Sequence, residues 1–269
     1  MTTNRTNEVA TQAAGMPAVS DEDLALMQGQ SHASDFTKDD MATPYLTIVQ
    51  GTSPYVKRNE PEFIPDAREG DILDTLTLRL RTIAAFIPAK YEVHYTEWKP
   101  NRGAMVKQWG TDSSGYDAAE GDFGTRKTAG GNDITPSYVY FGLLIDDQTG
   151  GGLPVILSLT GTQAKKARRL NALINALELP APGGGVFEPP IYARIYQLTT
   201  VPESNDLGSW SGWKIEPGPL TLTTPTGRSL FAKAKALRDQ VDSGTVRAAA
   251  PTPAQRTATE GAADADIPF

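Results

Sequence analysis

Four cations stand almost side by side in the chain, Lys165, Lys166, Arg168 and Arg169. Grouped this closely they attract polyanions, because phosphates satisfy such groups through charge-assisted contacts and release counterions. A solvated helix face carries the same residue types and stands as the plainer reading. Four tryptophans lie beside further cations: Trp98 next to Lys99 and Arg102, Trp109 near Lys107, and Trp210 and Trp213 before Lys214. Exposed indoles flanked by cations are what base stacking along a single strand requires, and core packing is the competing use of the same rings. Trp210 and Trp213 would face opposite sides of a regular strand unless Gly212 introduces a bulge between them. Asp146-Asp147 could hold a divalent ion for phosphoryl chemistry, but the QTGGG that follows marks a turn, where Asp caps its own backbone.

Composition narrows the chemistry further. The chain has 269 residues, no cysteine and only two histidines, His32 and His94. Thiolate metal sites are excluded and a multi-histidine zinc site is not expected. Neither a GxxxxGK[ST] phosphate loop nor a strand-linked GxGxxG occurs. No catalytic residue, metal ligand or cofactor is assigned, and the chain is not expected to be an enzyme. No apolar run is long enough to span a bilayer, and the N-terminal residues lack a signal-peptide core. The formal charge is −7, unevenly placed. Residues 1–74 hold 5 Lys/Arg against 13 Asp/Glu, and residues 155–242 hold 10 against 7. A nucleic-acid site must therefore be a bounded groove within an acidic protein.

These residues need elements to hold them. Residues 1–40 read as a flexible arm with a short helix after Ser20, and the folded part begins at Thr43–Gly51. Leu76, Leu78 and Leu80 alternate with polar residues and predict a half-buried strand. A strand over Lys90–Trp98 sets Tyr91, Val93 and Tyr95 against Glu92, His94, Thr96 and Trp98. Lys99–Pro136 is a long Gly-rich insertion, functional or disordered. Strands are expected at Ser137–Ile145, Pro154–Leu159, Ile191–Val201 and Ser209–Glu216. Ala167, Leu170, Ile174 and Leu177 form the apolar stripe of a helix over Thr162–Leu177. A last helix over Gly227–Val241 reads as a C-terminal appendage. Three regions follow: the arm at 1–40, a body at 41–242, and a disordered linker at 243–269 rich in Ala, Thr and Pro.

Strands, then one helix, then two strands is the succession of an OB barrel, which binds single strands with its loops. The expected fold is mainly β with α: an OB-like barrel with a long Gly-rich insertion, flanking helices and disordered termini. A β-sandwich or another α+β domain shares the same succession.

The chain ends Asp264-Ala265-Asp266-Ile267-Pro268-Phe269. Two large apolar side chains at a terminus have nothing local to bury them, which suggests an anchor for another protein. This tip resembles that of bacterial single-stranded DNA-binding proteins, an acidic run followed by Ile-Pro-Phe. The resemblance implies that Asp264, Asp266, Ile267, Pro268 and Phe269 recruit replication or repair enzymes, with the Phe ring entering an apolar pocket. Ala265 interrupts the acids, and the linker lacks the Gly/Gln-rich character common in that family. The stretches PYLTIVQGTSPYV, EGDILDT and YTEWKP are similar to single-stranded DNA-binding proteins encoded by bacteriophages. That likeness implies a protein made in the cytoplasm of an infected bacterium, coating DNA during replication or recombination. A virion or assembly protein with a docking tail, and a metal-dependent nuclease or recombination factor, are the alternatives.

Overall fold

The computed structural model describes Glu22 and residues 43–100, 103–122, 124–205 and 208–248. The chain falls into two compact units, Met1–Met41 and Ala42–Phe269, and all but Glu22 of the described residues belong to the second. Of the arm only Glu22 is described, and of the linker only residues 243–248, where Val246 and Ala248 pack against a hydrophobic cluster; the acidic tip lies outside the described residues.

The second unit is mainly β. It contains twelve described strands: β1 (Tyr45–Ile48), β2 (Ile72–Asp74), β3 (Leu80–Arg81), β4 (Ala84–Trp98), β5 (Met105–Gly110), β6 (Arg126–Lys127), β7 (Asp133–Ile145), β8 (Gly152–Thr160), β9 (Leu179–Pro180), β10 (Val186–Phe187), β11 (Arg194–Asn205) and β12 (Gly208–Leu220). Among the described residues three helices accompany them, α1 (Ser114–Asp117), α2 (Ala164–Asn175) and α3 (Gly227–Asp242). Ten strands form one curled sheet in the order β12-β11-β4-β7-β8-β1-β2-β3, with β5 on β4 and β6 on β7, while β9 and β10 make a separate ribbon. The pair β1–β8 is parallel, and the other pairs are antiparallel.

The hydrogen-bonded path is open, and side chains tie β12 and β11 to the segment between β1 and β2. Gln50, just past β1, places its side-chain amide against Ser211 of β12: Nε2 donates to the Ser211 carbonyl at 2.8 Å and Oε1 accepts from the Ser211 N–H at 2.9 Å. A glutamine thus imitates a strand residue. Thr200 Oγ1 donates to the Gly70 carbonyl at 2.6 Å and adds a second clasp. The outer edge of β12 is otherwise blunted. Gln163 Oε1 takes the Trp213 N–H, and Pro217 and Pro219 have no N–H to offer.

Alternation along the central strands fills both faces. Tyr140, Leu144, Phe86, Leu157 and Trp213 belong to the inner core, which α2 covers with Ala164, Ala167 and Leu170. Val139, Phe141, Leu143, Ile87 and Ile156 point the other way, beneath Leu230, Ala234, Leu237 and Val241 of α3. The last helix is therefore no appendage; its apolar stripe forms one wall of a second core. At Gly142 a Cβ would lie 2.4 Å from the Ile87 carbonyl oxygen and from the Phe86 ring, so only glycine lets β7 approach the bulge in β4.

The strand expected from the leucine alternation at 76–80 does not form. Leu76 and Leu78 are exposed, Leu78 has a φ of 55°, and only Leu80–Arg81 pairs. The cause is Asp74. Its buried carboxylate accepts from the Thr77 N–H at 2.7 Å, from Thr77 Oγ1 at 2.7 Å and from Arg81 Nη1 at 2.8 Å, so the chain folds into a turn. Burial works to raise the Asp74 pKa, but the Arg81 and Thr77 hydrogen bonds outweigh it and hold the group below its ordinary value. A depressed carboxyl stabilises fully above the unfolded-state value of about 3.9 and loses that contribution as pH falls through the folded value. Urea midpoints measured from pH 6 to pH 2.5 should therefore fall below about pH 4, and Asp74→Asn should flatten that fall.

The insertion at 99–136 is largely ordered. It prolongs the β4–β7 ladder, with β5 and β6 flanking and α1 beneath Trp109, whose ring a Gly115 Cβ would meet at 2.6 Å.

Candidate nucleic-acid interface

Helix α2 starts where β8 runs out through a 3-10 turn at Gly161–Gln163, and its apolar stripe docks on the inner core. Lys165, Lys166, Arg168 and Arg169 all fall in its first half, and the first turn holds no acid. The N-terminal end of a helix is its positive pole and favours acids. Lys165 and Lys166, both in that first turn, oppose the dipole.

One of the four is structural. Lys166 Nζ lies 2.6 Å from Glu203 Oε1 on β11, and Glu203 Oε2 also accepts from Gln163 Nε2 at 3.1 Å and Trp210 Nε1 at 3.0 Å. Burial works to raise the Glu203 pKa, but Lys166, Gln163 and Trp210 outweigh it and lower it. The carboxylate occupies the space above Gly212, where a Cβ would come within 2.3 Å of it. This knot fastens the start of α2 to β11 and β12. Lys165, Arg168 and Arg169 are exposed, and neither Lys165 nor Arg169 has a carboxylate within ion-pair distance among the described residues.

The tryptophans differ from expectation. Trp213 is 1% exposed and Trp98 is 7% exposed, so neither ring can receive a stacked base as placed. Trp210 is buried as well. No bulge forms at Gly212, where Trp210, Ser211, Gly212 and Trp213 pair in unbroken register with Glu203, Pro202, Val201 and Thr200. Trp210 instead takes its place in the Glu203 knot, and Trp213 enters the inner core. The flanking cations misled because an edge strand alternates buried and exposed residues: Lys214 follows Trp213 outward and pairs with Glu216 at 3.0 Å.

Trp109 remains half-buried on β5. Lys107 Nζ sits 3.2 Å from its ring centroid, and Nε1 donates to Glu97 Oε2 at 3.3 Å. Lys99 is exposed just past the end of β4, and Trp98, Lys107 and Trp109 share the β4–β5 ladder. Arg102 and the five tip residues lie outside the described residues. If bound DNA quenches the intrinsic fluorescence, Trp109 is the indole with accessible surface to report it. Trp109→Phe should abolish the quench; a quench of unchanged size in that variant would return a buried indole to the interface.

A second aromatic group emerges from strand geometry. Tyr91 and Tyr95 on β4 and Tyr138 on β7 belong to the inner face of the long ladder. Tyr91 lies 4.9 Å from Tyr140, Tyr95 lies 5.0 Å from Tyr116, and the Arg126 guanidinium covers the Tyr116 ring at 4.3 Å. Tyr140 Oη donates to the Ala167 carbonyl at 3.0 Å and meets Asn171 Oδ1 at 2.7 Å, which seats α2 beside this row. Burial pushes the Tyr138 hydroxyl up to about 12, while the nearby Arg168 acts in the opposite direction. Tyr91 and Tyr95 keep part of their surface open. Their alternation with Val93 was visible in the sequence, but it reads equally as core packing.

Asp146 is a turn residue. Its carboxylate accepts from Gln148 N at 3.0 Å and Thr149 N at 2.8 Å and pairs with Arg79. The Thr149 N–H leads the interactions that hold its pKa down to about 2. His94 Nε2 lies 2.8 Å from Glu92 Oε2, facing a cleft of about 460 Å³ between β4, β5 and the residues after α3. Among the described residues no three His, Cys, Asp or Glu side chains gather as metal ligands, and no helix is long and apolar enough to cross a membrane.

Residues 10–247 match the family described as Pam3 phage gp34-like protein. No curated protein and no solved structure matches the chain.

Proposed function

The chain belongs to the Pam3 phage gp34-like protein family, and on that premise we propose that it is a phage protein that binds single-stranded DNA in an infected bacterium. The observation that carries this reading is the cluster of exposed cations Lys165, Arg168 and Arg169 in the first half of α2, whose first turn holds no acid, a grouping that attracts phosphates. The adjoining Tyr91 and Tyr95 supply partly open rings for stacking, which tolerates any base. The curled sheet with α2 between β8 and β11 supports an OB-like reading of the body, the architecture that presents such a groove. Binding is non-enzymatic and needs no cofactor. A gel shift with labelled oligo(dT) tests it, and Mg²⁺-dependent degradation of the same oligomer would favour the nuclease alternative.

The tip Asp264–Phe269 completes the proposal as the recruiter of replication or repair enzymes. Phe269→Ala should abolish most capture of such enzymes from a bacterial lysate without altering the melting temperature, because one buried aromatic dominates small interfaces. Undiminished capture by a chain lacking Asp264–Phe269 would remove the anchor role.

A further inference from the structure

Two places on the body expose consecutive apolar residues of a strand. On β5, Met105 and Val106 are 42% and 46% exposed; on β10, Val186 and Phe187 are 63% and 45% exposed. Neighbouring residues of a strand point to opposite faces, so in both places the two faces of the strand are bare. Both strands also have an open edge among the described residues, since β5 pairs only with β4 and β10 only with β9. The ribbon is short, two residue pairs closed by a loop in which Gly184 and Gly185 have φ of 92° and 80°. Such a ribbon gains little stability alone.

The segments of chain that carry the two strands differ in charge, although Glu97 of β4 stands opposite Lys107 across the ladder. From Lys99 to Gly110 the sequence holds three cations, Lys99, Arg102 and Lys107, and no acid. From Leu170 to Ala193 it holds two acids, Glu178 and Glu188, and no cation. Apolar surface, open edges and complementary charge thus occur as a matched pair on one molecule.

We propose that the β9–β10 ribbon of one copy docks on the β5 edge of a second copy. The contact joins two different surfaces, so an open assembly leaves an unused ribbon at one end and an unused β5 edge at the other, and the contact repeats into a ring or filament. None of its residues belongs to α2 or the tyrosine row, but β5 also carries Lys107 and Trp109, so the test is run without DNA.

The test is sedimentation velocity of the full chain over a range of concentrations at about 50 mM salt, with two variants. Val186→Ser with Phe187→Ser disables the ribbon; Met105→Ser with Val106→Ser disables the β5 edge. All four positions are exposed, so unchanged melting temperatures confirm folding. The wild type should grow beyond dimers with concentration and shrink as salt screens the charges. Each variant alone should remain monomeric, and an equal mixture should form dimers and stop there, because each copy retains one competent surface. A wild type that stays monomeric overturns the proposal. So does a variant that assembles normally, or a mixture that stays monomeric.

Discussion

Replacing Lys165, Arg168 and Arg169 together with alanine is expected to lower affinity for single-stranded DNA about 100-fold at 0.1 M salt. The magnitude follows from counterion release. Each lost phosphate contact reduces the salt slope by about 0.7 on a single strand, so three contacts reduce it by about 2, which is about two decades of affinity at 0.1 M. The three side chains are exposed, and the apolar stripe of α2 is untouched. Stability should therefore move by no more than about 0.5 kcal/mol, or rise slightly as the opposition to the helix dipole is relieved. Lys166 is left out deliberately, since removing it strands the half-buried Glu203 carboxylate. Unchanged affinity with an unchanged salt slope would mean that α2 does not meet phosphates.

Trp213→Ala should have the largest effect on the fold. The ring is the largest fully buried side chain and packs in the inner core. Truncating a buried tryptophan costs about 3–5 kcal/mol, a large share of the roughly 5–15 kcal/mol that holds an ordinary domain together. The urea midpoint should shift strongly, while the backbone N–H of residue 213 keeps its bond to Gln163 at the start of α2. DNA affinity should fall only in proportion to the unfolded fraction. A variant with native stability and lost affinity would put Trp213 back among the stacking residues.

The legible parts of the fold were those that local pattern controls. Ala167 and Leu170 mark the stripe of α2, and Tyr91, Val93 and Tyr95 mark one face of β4, because burial repeats at the period of the element. Leu76, Leu78 and Leu80 carried an equally good strand signal. It failed because a single buried carboxylate, Asp74, offered the backbone better bonds as a turn. The site was legible by type and not by exposure. Four adjacent cations could be found by eye, whereas the diversion of Lys166 to Glu203 depends on a residue 37 positions away. The tryptophans looked accessible because lysines flank them, yet alternation along a strand puts a buried ring beside an exposed cation. The clasp of Gln50 on β12 has no sequence signature at all, being a side chain that stands in for a strand.

The central claim is that this chain binds single strands, and an equilibrium titration of the full chain with labelled oligo(dT), a mixed-sequence single strand and the matching duplex tests it most directly. The account predicts similar affinity for the two single strands, weaker affinity for the duplex, and a linear loss of log affinity with log salt concentration. Equal affinity for the duplex, or no binding to either single strand at about 50 mM salt, would contradict it.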